Sequence, residues 1–257
     1  MKRLAIMDQD GSNHRFLTSG KYLALTPIVS PNHKKIVYLS YRHENKPRLY
    51  AIDLLTGREQ MVGEFMGMNF TPRFSPDGQY MLMSIAYRGN TDIYRVDLKT
   101  MKKKQVTRGS AIQTSPFYSP DGKDIVYVSD KTGRPQLYVM PADGGTARRI
   151  SYGNGVYSSP SWSPRGDWIA FTKHGFDGNF YIGVMRPDGS GERLITRGFL
   201  VESPSWSPNG RRIIYTRQEP TTAMGNVRSK LYSIDLTGLH EIELKTPLDA
   251  SDAFWAK

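Results

Sequence analysis

The chain has 257 residues, no cysteine and a formal net charge of +11 at pH 7. This length suits one large all-β domain, and the lack of cysteine excludes disulfides and thiolate metal sites. No apolar run approaches the roughly 20 residues of a membrane helix, so the chain is not expected to insert into a membrane, and the cationic surplus favours an acidic partner or surface.

Leu4-Ala5-Ile6-Met7, Asp8-Gln9-Asp10-Gly11 and His14-Arg15-Phe16-Leu17-Thr18 read as strand, turn and strand. Asp-Gly between two such runs is a hairpin signal. Met1-Lys2-Arg3 leads into a short strand-like run and not a long apolar core, so no signal peptide is expected in this stretch.

A unit then recurs. Its copies are Thr26-Pro-Ile-Val-Ser-Pro-Asn-His33, Thr71-Pro-Arg-Phe-Ser-Pro-Asp-Gly78, Ser115-Pro-Phe-Tyr-Ser-Pro-Asp-Gly122, Ser159-Pro-Ser-Trp-Ser-Pro-Arg-Gly166 and Ser203-Pro-Ser-Trp-Ser-Pro-Asn-Gly210. The second prolines fall at 31, 76, 120, 164 and 208. A period of this size with strand-like content signals repeated supersecondary units.

Each copy predicts four strands. Strand a carries the aromatic (Phe74, Tyr118, Trp162, Trp206) and is expected to be extended, because a residue before proline avoids the right-handed helical region. Ser-Pro-x-Gly makes a tight turn. Strand b follows, as in Ile36-Val37-Tyr38-Leu39 and Ile125-Val126-Tyr127-Val128. It is apolar on both faces, so it should be covered on both sides. Strand c and a short turn come next, as in Leu137-Tyr138-Val139-Met140 with Asp143-Gly144, and strand d ends the unit, as in Arg149-Ile150-Ser151.

Five such units, at about 26–62, 71–107, 115–151, 159–196 and 203–244, define a β-propeller. The N-terminal hairpin reads as strands c and d of a further blade, and the tail 251–257 reads as its strand a. Residues 1–257 are therefore expected to form a single domain: an all-β, six-bladed β-propeller whose closing blade is shared by both chain ends. Strand b of that blade is not supplied, and a longer parent chain is expected to place it just before Lys2.

Pro-x-Trp-Ser-Pro-Asp-Gly, the Ile-x-Tyr-x-Ser strand and the Leu-Tyr-x-x-Asp-x-x-Gly hairpin resemble the TolB-type propeller repeat. The opening Ala5-Ile6-Met7-Asp8-Gln9-Asp10-Gly11 and the segment Asp130-Lys131-Thr132-Gly133-Arg134-Pro135-Gln136-Leu137-Tyr138 sharpen the resemblance, which covers the whole chain. Peptidase propellers share the repeat motif itself. Members of the TolB-type family are periplasmic parts of the Tol–Pal envelope system. They carry a small N-terminal α/β domain before the propeller, and the propeller binds the lipoprotein Pal. The resemblance thus implies a periplasmic, non-enzymatic module that binds a Pal-like peptidoglycan-associated lipoprotein. Such a module supports outer-membrane integrity and envelope constriction in cell division, and is expected to be monomeric. The N-terminal domain and its export signal are not found here, so nothing that depends on them carries over.

Alternate connections of a propeller emerge on opposite faces. The d-to-a segments therefore ring one channel mouth with Met68, Asn69, Thr71, Thr114, Tyr157, Ser158 and Glu202. The resemblance implies that this mouth receives Pal and that the segment before the first proline takes part, which points to Met68, Asn69, Thr71 and Thr114. The b-to-c loops are expected to add cations to the same face: Arg42, Arg88, Lys131, Arg134, Lys173 and Arg217. Such charges speed and orient the approach of an acidic protein surface, through a contact expected to be mostly polar.

Signs of catalysis are absent. There is no Gly-x-Ser-x-Gly elbow, P-loop or His-Glu-x-x-His. None of the five histidines lies within four residues of another, so no short element presents a metal-ligand pair. Glu202 is the one acid just before an inner strand, too few for a lactonase-type metal site. No catalytic residue, metal or cofactor is expected. The lysine run at 99–104 reads as a solvated turn, since nucleic-acid binding calls for interleaved aromatics or a continuous basic stripe. The alternative reading is the gating propeller of a prolyl oligopeptidase-like serine peptidase, which requires an attached hydrolase domain.

Overall fold

The computed structural model describes residues 2–43, 46–63, 65–220 and 227–256. It is all β. Five four-stranded antiparallel sheets follow one another in chain order, each in sequential strand order, with a two-stranded sheet beside them. Blade 1 consists of Ala24–Val29, Lys35–His43, Lys46–Asp53 and Glu59–Met61. Blade 2 has Met68–Phe74, Tyr80–Tyr87, Asn90–Asp97 and Lys103–Gln105. Blade 3 has Gln113–Tyr118, Asp124–Ser129, Gln136–Pro141 and Arg148–Arg149. Blade 4 has Val156–Trp162, Ile169–His174, Phe180–Met185 and Arg193–Gly198. Blade 5 has Leu200–Trp206, Arg212–Pro220, Val227–Asp235 and Ile242–Leu244. These are strands a to d of each blade, and the a strands of consecutive blades touch along the inside of the ring.

The core lies between blades, as the doubly apolar b strands require. Met81 and Met83 of blade 2 pack with Val37 and Leu39 of blade 1. Leu82, on the opposite face of the same strand, packs with Ile125 and Tyr127 of blade 3. Alternating side chains of one strand thus fill two interfaces. The Ser-Pro-x-Gly turns lock the opposite end of each blade. Ser75 Oγ donates to Asp77 Oδ1 (2.5 Å) and accepts from the Tyr80 main-chain NH (2.9 Å). Gly122 holds φ of +74°, and an added Cβ would lie 3.5 Å from Pro76 Cδ of the preceding blade. A side chain here would meet both the strained backbone angle and the neighbouring turn.

Strand a is not simply extended. The residue before its first proline has positive φ in every repeat: Thr26, Thr71, Ser115, Ser159 and Ser203 lie between 47° and 57°. The pairing with strand b shifts register at these points, so each inner strand carries a β-bulge that bends it. Asp252 in the tail has φ of 57° and is followed by Ala253 where the repeats have proline.

The closing blade departs from expectation. Ala5–Ile6 and Arg15–Phe16 pair only with each other, and the described part of the tail, Ser251–Ala256, belongs to no strand; Lys257 lies outside the described residues. The structure therefore contains five four-stranded blades rather than six. The cause is the absence of an intervening strand b among the described residues, which leaves the tail without a ladder partner. Side-chain hydroxyls take over instead: the Asp252 NH donates to Thr216 Oγ1 (3.0 Å) and the Trp255 NH to Ser205 Oγ (3.3 Å), both in blade 5. Phe254 packs against the cluster containing Ile28 and Val37 of blade 1. Lys2 Nζ donates to Ser251 Oγ (2.7 Å). The two chain ends meet between blades 5 and 1.

Candidate functional site at the channel mouth

The antiparallel strand order places the d-to-a connections and the b-to-c turns at one end of the barrel of blades, opposite the Ser-Pro-x-Gly turns. Glycines let the chain lie close there. At Gly67 (φ +89°) an added Cβ would sit 2.3 Å from the Ala86 carbonyl oxygen. Each of several c strands clamps the connection of the next blade. Arg48 donates to the Gly67 carbonyl, Asn90 to that of Gly109 (2.7 Å), and Gln136 to that of Gly155 (3.2 Å). The mouth is held by main-chain acceptors, so its shape is preformed.

Of the side chains expected to ring the mouth, Met68 is exposed and Thr114, Ser158 and Glu202 are half-buried. Thr71 is half-buried, and its Oγ1 lies 2.8 Å from Ser84 Oγ. Asn69 and Tyr157 are not on the surface. Asn69 is buried and donates to the carbonyls of Phe65 and Gly67 (both 3.2 Å). Tyr157 is fully buried, and its hydroxyl donates to Glu192 Oε1 (2.7 Å). Both occupy the position two residues before the bulge, where Ala24, Gln113 and Val201 are buried too. At that position the pleat points between blades. Glu202 sits near Asp252 and Lys2 at the seam; desolvation, then the Asp252 charge, pushes its carboxyl up.

The six cations divide into two groups. Arg42, Lys173 and Arg217 are not in loops but in b strands. Each is spent inside its own blade. Arg42 pairs with Glu59 and stacks on Tyr50. Lys173 Nζ lies 2.9 Å from Glu192. Arg217 Nη2 lies 2.7 Å from Glu241 and its guanidinium covers Tyr232. Arg88, Lys131 and Arg134 do lie in b-to-c turns. They rest over the rings of Tyr87, Tyr138 and Phe176, and among the described residues no carboxylate pairs with them. These three supply free positive charge at the mouth.

The sequence reading missed an apolar component. Every d-to-a connection exposes a large apolar side chain: Tyr22, Met66, Ile112, Tyr152, Phe199 and, in the tail, Leu248. The available signal was a large apolar residue in each of these connections. These side chains repeat on the face that carries the d-to-a connections.

Among the described residues no group of histidines and carboxylates could hold a metal ion, and no helix is long and apolar enough to cross a membrane. Fold and geometry together define a β-propeller with a preformed mouth that carries exposed apolar side chains and three cations unpaired among the described residues. The chain belongs to the TolB beta propeller domain family, whose profile matches residues 1–257. A Tol-Pal system protein TolB of Rickettsia prowazekii (strain Madrid E) is 51% identical over 91 residues, covering 35% of this chain. The counterpart from Rickettsia massiliae (strain Mtu5) is 52% identical over 91 residues. These matches span a fifth of the length of the curated relatives, at 20%. The crystal structure of TolB from Acinetobacter baumannii superposes with a TM-score of 0.89 at 31% identity, covering 99% of this chain and 62% of that one.

Proposed function

We propose that this chain is a non-enzymatic protein-interaction module of the Tol–Pal type, acting in the periplasm and binding a Pal-like lipoprotein at the channel mouth. Through that contact it supports outer-membrane integrity and envelope constriction during division. The observation that carries the reading is the set of exposed apolar side chains, one on each d-to-a connection, on the face that also holds Arg88, Lys131 and Arg134. Large apolar and aromatic groups within a polar rim are the usual anchors of protein interfaces. The contact is therefore less polar than the sequence suggests. We further assign the Ala5–Phe16 hairpin and the tail to a sixth sector of the ring, supported by the Asp252 backbone angle that matches the five repeats.

The test is binding of the soluble domain of a Pal-like lipoprotein, measured by calorimetry. Met68→Asp or Tyr152→Asp should weaken it about tenfold or more, in line with the loss of an interface anchor. Leu55→Asp, on the opposite face, should leave it unchanged. Equal loss from Leu55→Asp, or none from the mouth variants, rejects the placement.

A further inference from the structure

The connection from blade 1 to blade 2 differs from the others in what it exposes. It presents two methionines, Met66 and Met68, where the other connections and the tail present Tyr22, Ile112, Tyr152, Phe199 and Leu248. Met66 is 64% exposed and Met68 50%. Every other methionine among the described residues is covered. Met81, Met83, Met140 and Met185 are buried, and Met7, Met61 and Met101 are half-buried.

The backbone holds both thioethers outward. Phe65 and Asn69, on either side of the pair, are buried. The Asn69 amide donates to the Phe65 and Gly67 carbonyls and draws the segment into a closed loop. Arg48 of blade 1 also donates to the Gly67 carbonyl, and Met68 pairs with Ala86 of blade 2. Withdrawing either methionine from solvent would break these bonds. The chain has no cysteine, so thioethers are the sulfur that an oxidant meets, and this pair is the most accessible of them.

We propose that Met66 and Met68 are a paired oxidation site for a peroxide, and that their oxidation releases the partner bound at the mouth. One oxygen atom passes from hydrogen peroxide to each sulfur. The S–O bond forms as the O–O bond breaks, the sulfur is oxidised by two electrons, and the peroxide leaves as water. The flexible apolar side chain becomes a polar sulfoxide, and covering a polar group that finds no hydrogen bond is unfavourable. Two apolar contacts are thus lost together. A thiol-dependent sulfoxide reductase restores the thioether, two thiols giving a disulfide and water, so the mark is reversible. The release rests on the mouth contact proposed above; the oxidation does not.

The whole chain is treated with hydrogen peroxide, and oxygen uptake at each methionine is followed by peptide mass mapping. Met66 and Met68 should oxidise about tenfold faster than Met81, Met83, Met140 and Met185. Equal rates overturn the site, whatever the partner does. Binding of the soluble domain of a Pal-like lipoprotein is then measured before and after peroxide. The affinity of the wild type should fall about tenfold or more, as for the loss of an interface anchor. The double variant Met66→Leu with Met68→Leu keeps apolar bulk but has no sulfur there. Peroxide should leave its affinity within about twofold of its own untreated value. An equal fall in the double variant places the effect at another residue and overturns the release. So does an unchanged affinity of the oxidised wild type while Tyr152→Asp still weakens binding. If the partner binds neither treated nor untreated protein, the mouth contact itself fails and the release with it, and the rate comparison alone judges the oxidation site.

Discussion

Trp206 of blade 5 donates its indole Nε1–H to the main-chain carbonyl of Ser161 in blade 4, at 2.9 Å and out of contact with water. Its counterpart Trp162 donates instead to the Gly166 carbonyl of its own turn, at 3.2 Å. The same repeat position therefore joins blades in one case and braces a turn in the other.

Trp206 is 6% exposed and packs with Ala170 of blade 4 and Ile213 of blade 5. Trp206→Ala should destabilise the protein by about 3–5 kcal/mol, the range for a large buried aromatic. Trp206→Phe retains most of the apolar burial but loses the indole bond to the Ser161 carbonyl, and should cost about 0.5–1.5 kcal/mol. Urea unfolding of the two variants checks the order. A loss below about 1 kcal/mol for the alanine variant would mean that the ring contributes little to the interface.

The repeat period, the doubly covered b strands and the tight turns were all legible in the sequence, because each follows from a local rule applied several times over. The bulges at Thr26, Thr71, Ser115, Ser159 and Ser203 were not. The steric rule at proline removes the right-handed helical region, but it does not reveal that two residues of strand a must oppose one of strand b. The burial of Asn69 and Tyr157 was hidden for a related reason. Their position is filled by Ala, Asn, Gln, Tyr and Val in successive blades, a mixture with no apolar pattern. Arg42, Lys173 and Arg217 resembled loop cations because the b strands continue past their apolar runs, and the acids that neutralise them lie 17 to 24 residues away.

The exposed turns make stability depend on acid. Hydrogen bonds from Thr237, then from His240, pull the Asp235 carboxyl down to about 2. Asp53 and Asp97 are lowered by the main-chain NH groups of Thr56 and Thr100. A folded-state pKa below the unfolded value stabilises above the unfolded pKa, near 4, and the benefit fades as pH falls through the folded value. Melting temperature should therefore drop between about pH 4 and pH 2. Asp235→Asn should lower it at pH 6 and flatten that decline. An unchanged acid limb in the variant would remove Asp235 from the account.

Ring closure rests on the tail more than on any ladder. Phe254 is half-buried against blade 1, while the Trp255 NH is held by Ser205 of blade 5. Phe254→Ala should cost about 1–3 kcal/mol through lost apolar burial. Hydrogen exchange should accelerate first at Ala24–Val29 and Leu200–Trp206, the inner strands flanking the seam. Uniform acceleration over all blades would show that the tail supports the whole ring and not its seam.

Charge reversal at the mouth separates steering from anchoring. Arg88 and Lys131 are the sharpest probes, since each lies in a b-to-c turn, over a ring, with no acid paired to it among the described residues. Arg42 and Arg217 would be poor choices: reversing either would leave Glu59 or Glu241 without its partner and disturb the blade itself. For an acidic partner, Arg88→Glu with Lys131→Glu should slow association about tenfold or more at low salt, because long-range attraction acts mainly on the encounter. The difference should shrink as salt rises and the Debye length falls to about 8 Å near physiological ionic strength. Dissociation should change little, and the melting temperature should stay within a few degrees, as expected for exposed positions. Stopped-flow association at two salt concentrations reads both effects. Identical association rates for the two forms at low salt would show that these cations do not guide the partner to the mouth.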